Sequence, residues 1–212
     1  MATGKLALPF KHVGLTGGIA CGKSLVAYML ATRYGAVILD ADALAREVVE
    51  PMKPAYRQIV EHFGSTVLLP DSTIDRKRLA VRVFADPVER ATLEAMIHPR
   101  VRELARQRVA QLASKPALER PRLVVEVVPL LFEVGLEKEF DEIWVVSCSR
   151  EQQIQRLLAR DGLTADEAQA RLNAQWPLEA KLERADRVIE NVAGQSELEW
   201  NLACVLQEAK LA

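Results

Sequence analysis

The sequence predicts an α/β protein built on a five-stranded parallel sheet with helices on both faces. Three observations carry that prediction. Short apolar runs rich in β-branched residues alternate with longer amphipathic stretches, as expected of strands covered on both sides. The first run passes directly into a glycine-rich turn and then an amphipathic helix. The second run ends on two carboxylates, and the carboxyl ends of parallel strands are where such sheets hold ligands.

The strands are read at residues 13–15, 37–39, 123–128, 143–147 and 188–189. Between Asp40 and Leu123 lie about eighty residues without a convincing core strand. They read as helices at 43–49, 55–62, 77–84, 87–97 and 100–114, with Pro99 ending one helix and starting the next. A second insertion follows the fourth strand. Helices at 150–160 and 165–175 meet at Gly162, a helix stop. Thr164 and Glu167 form a capping box for the second helix, and Pro177 closes the pair. Residues 196–211 read as a final helix packed on the sheet. The 212-residue chain thus divides into a core (10–45, 117–150 and 179–212), a helical insertion (46–116) and a smaller one (151–178). Glu126, in the middle of a buried-looking strand, calls for a partner on a neighbouring element.

Composition narrows the function. Lys plus Arg is 28 against 29 Asp plus Glu, a net charge of −1. That gives no global attraction to nucleic acid or anionic lipid, so neither is an expected partner. Cys21, Cys148 and Cys204 are far apart and form no CxxC pair. They argue against a disulfide framework or zinc site and suit a reducing cytoplasm. No apolar run approaches the ~18 residues of a membrane span, and residues 1–10 hold no secretory signal.

Gly17-Gly18-Ile19-Ala20-Cys21-Gly22-Lys23-Ser24 matches GxxxxGK[ST]. Such a loop curls its backbone N–H groups around phosphate oxygens, and its glycines permit the turn and the close approach. The helix beginning near Lys23 offers its positive end to the anion. Lys23 is placed to reach the β and γ phosphates, and the Ser24 hydroxyl to ligate Mg²⁺. Leu25, Val26, Met29 and Leu30 form the apolar face of that helix. Asp40 and Asp42 both face the site if the chain stays extended. One would then accept a proton from an attacking hydroxyl and the other hold Mg²⁺ through water. Alternatively, one of them caps the helix near Ala43. Arg46 either pairs with Asp42 or reaches a phosphate.

Neither DxxG nor NKxD occurs, so a GTPase switch is excluded. The third strand runs into Pro129 rather than an acidic end, unlike a motor ATPase. A small core with two helical insertions suits a small-molecule kinase, which needs an acceptor pocket and a lid that excludes water.

Several blocks in order resemble the dephospho-coenzyme A kinase family. They are Gly14 to Ile19 with Gly22-Lys23-Ser24, Asp40-Ala41-Asp42, the run from Ala45 to Pro51, and Phe63-Gly64. Asp75-Arg76, His98-Pro99, Val128 to Glu133, Gln152 to Arg156 with Arg160, Gln175, Ala185-Asp186 and Asn191 follow. The resemblance implies a nucleotide-kinase-like P-loop core, with residues 46–116 as acceptor insertion and 151–178 as lid. It implies ATP-dependent phosphorylation of the ribose 3′-hydroxyl of dephospho-coenzyme A, with ATP and Mg²⁺.

It also implies roles. Asp42 faces the attacking hydroxyl, and Asp40 is a neighbouring Mg²⁺ or substrate group. Arg156 and Arg160, four apart on one helix face, close over the phosphates. Gly17, Gly18, Ala20, Cys21, Gly22, Lys23, Ser24, Leu25 and Asn191 hold the nucleotide. Arg46, His98 and Leu131 contact the acceptor, with a buried turn as the alternative for His98. Glu133 either anchors a helix N-terminus or lines the site. Ala20, Cys21, Leu25 and Met52-Lys53 depart from the family's usual residues. A monomer or weak homo-oligomer is expected. Rival readings are another small-molecule kinase, such as a nucleoside monophosphate kinase, and a non-catalytic nucleotide-binding regulator.

Overall fold

The computed structural model describes residues 8–211; most of the stretch read for a secretory signal lies outside them. The elements run β1 (Lys11–Gly17), α1 (Lys23–Tyr34), β2 (Val37–Asp40), α2 (Ala41–Glu47), α3 (Pro54–Phe63), α4 (Arg76–Ala85) and α5 (Pro87–Ala113). Then come β3 (Leu123–Val127), β4 (Glu142–Ser147), α6 (Arg150–Asp161), α7 (Ala165–Asn173), α8 (Leu178–Leu182), β5 (Arg187–Glu190) and α9 (Gln195–Glu208). The chain forms two compact units. One contains residues up to Leu39 together with those from Ala113 onward, and the other is Asp40–Leu112.

The sheet has five strands in the order β2-β3-β1-β4-β5. β1 is central and pairs in parallel with β3 (Val13 beside Val125) and β4 (Leu15 beside Trp144). Its residues from His12 onward are all buried, which is why it reads as an apolar run without alternation. Val13, Leu15, Val125 and Trp144 share a core with Val26, Met29 and Leu30 of α1 and Leu198, Leu202 and Leu206 of α9. Leu25 is not on that face. It is 40% exposed, because the 26, 29, 30 spacing defines the buried stripe and position 25 lies outside it.

Glu126 has the partner its position demands. Its Oε1 lies 3.0 Å from His12 Nε2 on adjacent β1. A buried carboxylate is tolerated only when such a partner is supplied. Glu142, at the start of β4, gathers more donors: Lys11 Nζ at 2.8 Å, Arg187 Nε at 2.8 Å and Trp144 Nε1 at 2.9 Å. Burial alone would raise its pKa. The hydrogen bonds from Arg187, Lys11 and Trp144 outweigh that and hold it at about 2.

An unfolded Glu titrates near ~4.3. The stabilisation is therefore complete above that pH and is lost as pH falls towards 2. Glu142→Gln is expected to cost about 1–2 kcal/mol at pH 7, discounted for solvent screening. Urea unfolding should show the gap from wild type shrinking between about pH 5 and 2.

The second unit has its own core: Val48, Val49, Ala55, Ile59, Phe63, Val67, Ile74 and Leu79. Here the sequence expectation needs one correction. Residues 87–113 form a single helix with Pro99 inside it. An interior proline costs about 3 kcal/mol of helix stability. Leu93, Met96 and Ile97 before it, and Val101 and Leu104 after it, all pack on the unit's core, and that burial carries the helix through. Arg108 on α5 pairs with Glu47 on α2 at 3.0 Å.

In the first unit, Gly162 caps α6 with a left-handed φ of 65°, and the Thr164–Glu167 capping box opens α7. α7 ends at Asn173, and the short α8 follows Pro177. Among the described residues no helix is long and apolar enough to cross a membrane.

Candidate active site

The loop between β1 and α1 is held open by glycine. Gly22 has φ 99°, and a Cβ there would meet Asn191 Nδ2 at 2.3 Å. A Cβ on Gly17 would meet the Val146 carbonyl oxygen at 2.2 Å. Side chains are excluded at both ends of the turn, so the backbone itself lines it. α1 begins at Lys23 with no side-chain cap, so its first N–H groups and dipole are available to an anion. Ser24 is exposed in that first turn. Lys23 Nζ donates to the Gly17 and Gly18 carbonyls at 3.1 and 2.9 Å.

Three successive loop carbonyls are tied from outside. Gln153 Nε2 donates to Ile19 O at 2.8 Å, an Arg156 nitrogen to Ala20 O at 3.3 Å, and Asn191 Nδ2 to Cys21 O at 2.8 Å. In each peptide the N–H points opposite to its carbonyl. Pinning the carbonyls outward therefore fixes which way the amides of the turn face, and this is how a backbone anion nest is built.

This geometry corrects several expectations. Asn191 is buried with its amide committed to the loop backbone, rather than turned towards a base. Arg156 and Arg160 take different partners in the structure. Arg156 bridges Ala20 O and Asn191 O, the latter at 3.0 Å. Arg160 is exposed and paired with Asp161 at 2.8 Å, and Asp161 also takes Arg171. Positions 156 and 160 differ in height along α6 by one turn, enough to move Arg160 past the loop. Gln153 was not singled out from sequence. Its partner is 134 residues away, and the only local sign is a glutamine in the stripe shared with Leu157, both buried.

Leu131 is 0% exposed and packs where a Gly14 Cβ would lie, 2.6 Å from its Cδ1. It offers no surface to an acceptor and is core. Glu133 resolves as an anchor. Its Oε1 lies 2.8 Å from Nζ of Lys181, itself 0% exposed, and accepts from Trp176 N at 3.1 Å. Lys181 also donates to Pro129 O at 3.3 Å. This pair ties the start of α8 to the loop after β3. A cavity of about 290 Å³ opens between the phosphate loop and α6–α8, lined in part by Gly18, Cys148, Gln153 and Trp176.

In the second unit, Asp40 is the N-cap of α2. Its Oδ1 accepts from Asp42 N at 2.8 Å and Ala43 N at 3.3 Å. The chain therefore turns at Asp40 instead of staying extended, and the two carboxylates part company. Asp42 sits in the first helical turn, exposed. Arg46 is also exposed, and no ion pair joins it to Asp42 among the described residues. His98 is exposed on α5 ahead of Pro99, so it does not fill a buried turn.

Comparison with known proteins bears on both units. The family model for dephospho-CoA kinase matches residues 11–197. The chain belongs to the dephospho-CoA kinase family. A dephospho-CoA kinase from Synechococcus elongatus is 49% identical over 181 residues, covering 85% of this chain and 84% of that protein. One from Geobacter sulfurreducens is 48% identical over 187 residues, 88% and 92% of the two chains. Among solved structures, dephospho-CoA kinase from Campylobacter jejuni superposes with a TM-score of 0.69 at 28% identity, covering 93% of this chain and 96% of that one. Shikimate kinase from Acinetobacter baumannii, at 17% identity and TM-score 0.53 over 95% and 94%, shares the fold alone. The match to the dephospho-CoA kinase family includes the helical unit as well as the phosphate loop, so it is not a likeness of the loop alone.

Proposed function

We propose that this chain transfers the terminal phosphoryl group of ATP to the ribose 3′-hydroxyl of dephospho-CoA, giving coenzyme A and ADP, the last step of coenzyme A synthesis. The observation that carries this reading is the family match across residues 11–197, which takes in the sequence of the loop that fits phosphate and of the helical unit.

In this reading the turn from Gly17 to Leu25 wraps the ATP phosphates, and Lys23 exchanges its two loop carbonyls for phosphate oxygens. Gln153, Arg156 and Asn191 act through the loop, holding its amides in place. Among the described residues no group of three or more His, Cys, Asp and Glu side chains is arranged to hold a metal. Ser24 would supply a hydroxyl to Mg²⁺, and Asp40 is the carboxylate proposed beside it. When bound, Mg²⁺ neutralises charge on the transferring group.

Asp42 accepts the proton of the attacking hydroxyl. Residues 46–116 receive dephospho-CoA, with Arg46 and His98 as polar groups for its phosphates. Residues 151–178 form the lid that keeps water out. The balanced charge and reduced cysteines fit a cytoplasmic enzyme, monomeric or weakly self-associating, without nucleic-acid or membrane partners.

The test is ATP-dependent phosphorylation of dephospho-CoA by purified protein. ADP release and a product heavier by one phosphate, located on the 3′-oxygen, are the expected results. Strong preference for a plain nucleoside monophosphate would overturn the acceptor assignment. ATP binding without turnover on any acceptor would overturn the catalytic one.

A further inference from the structure

The reaction has no use for the sulfur chemistry at the phosphate loop. Cys21 lies inside the loop and is 0% exposed. Cys148, just past the end of β4, is 6% exposed. Their sulfurs are 3.2 Å apart, although the residues are 127 positions apart in the chain. A disulfide requires about 2.05 Å between the sulfurs, so closing the pair takes roughly 1.2 Å of combined movement. Cys148 also lines the cavity beside the loop, so a small oxidant has a path to one member of the pair. Both thiols are free in this structure.

We propose that Cys21 and Cys148 form a reversible disulfide that disables nucleotide binding under oxidation.

The surroundings favour reaction at Cys148. The hydrogen bond with the Cys21 thiol lowers its pKa. Burial opposes this, and the positive charges of Arg156 and Lys23 add to the lowering. The Cys21 thiol is pushed up, first by that same hydrogen bond and then by burial. Cys148, which lines the cavity, is thus the sulfur that meets the oxidant first, and the fully buried Cys21, 3.2 Å away, is the resolving partner.

The oxidant is a hydroperoxide. The Cys148 thiolate attacks its terminal oxygen, the O–O bond breaks, and sulfenic acid and an alcohol (or water) form once the leaving oxygen takes a proton. The Cys21 sulfur then attacks Cys148, the S–S bond forms, and the hydroxyl leaves as water with the Cys21 proton. Two thiols lose two electrons in all, and the peroxide gains them. A reduced small thiol reverses the link by exchange.

The link matters because of what Cys21 is tied to. Its N–H donates to Gly18 O at 3.3 Å, and its carbonyl accepts from Asn191. Its Sγ lies where a Gly18 Cβ would come within 2.9 Å. Drawing the sulfur towards β4 therefore moves the peptides that form the anion nest. Displacements near 1 Å in such a site cost about 10²-fold in function, and a loss of at least about tenfold in nucleotide affinity is expected here.

The experiment treats the full purified chain with hydrogen peroxide, alkylates free thiols, maps peptides by mass, and measures ATP binding before and after. A Cys21–Cys148 linked peptide is expected, with Cys204 alkylated. The ATP dissociation constant should rise at least about tenfold and recover with dithiothreitol. Cys148→Ser, compared with its own reduced form, should keep its affinity through the same treatment, and Cys204→Ser should behave as wild type. Three results would each overturn the proposal: no linked peptide, a linked peptide with unchanged affinity, or equal loss in Cys148→Ser. Because disulfide and ATP affinity are read directly, a wrong acceptor assignment would leave this test intact.

Discussion

Asp42→Asn is expected to lower kcat by about 10²–10⁴-fold, the span typical of losing a general base. The substitution keeps size and polarity and removes basicity. The structure makes it a clean test, because Asp42 and Asp40 have different local duties. Asp40 Oδ1 holds the first turn of α2 through the N–H groups of Asp42 and Ala43. The Asp42 carboxylate is exposed and takes no part in that cap. An asparagine at 42 therefore leaves the cap intact and removes only one favourable helix-dipole charge, about 0.3–1 kcal/mol, so the protein should remain folded. ATP affinity should stay within a few-fold, because the phosphate loop is built from other residues. Steady-state kinetics with dephospho-CoA and separate ATP-binding measurements check both halves. Near-normal kcat would remove Asp42 from the chemistry. A large fall in ATP affinity would instead make it a nucleotide ligand.

Legibility from sequence followed the range of the interactions involved. The phosphate loop was readable because backbone geometry dictates residue type: no side chain fits at Gly17 or Gly22. The Gly162 stop and the Thr164 capping box were readable because each is complete within a few residues. Pro99 misled for the complementary reason. Local propensity argues for a break, and burial of residues on both sides overrides it. Arg156 and Asn191 were named from sequence, but their task of holding the loop backbone was not legible, and Gln153 was not singled out, because all three reach the loop from 134 to 170 residues away.

Lys181 was hidden because a lysine in a helix reads as surface, and its complete burial is made tolerable by the Glu133 carboxylate together with the Pro129 carbonyl. Polar Lys11 and His12 likewise kept the first two residues of β1 out of the predicted strand. Their partners, Glu142 and Glu126, lie on adjacent strands.

Lys23→Ala is expected to lower kcat/KM by about 10²–10³-fold, the loss seen when one preorganised donor to a developing charge is removed. It should also weaken ATP binding. The lysine rests on the Gly17 and Gly18 carbonyls, directly at the turn whose amides face the anion. Bound phosphate offers its ammonium a charged acceptor in place of two neutral ones, and charge-assisted hydrogen bonds are about twice as strong. That preference grows as the transferred group spreads negative charge over its oxygens, so part of the loss belongs in kcat rather than in KM alone.

Lys23→Arg sharpens the reading. It keeps the charge, but a planar fork cannot sit between two adjacent carbonyls as an ammonium does, so it should recover only a small part of the loss. ATP titration alongside steady-state kinetics separates the two contributions. Unchanged ATP affinity and unchanged kcat in Lys23→Ala would refute the assignment of this turn as the phosphate site, whatever the acceptor proves to be.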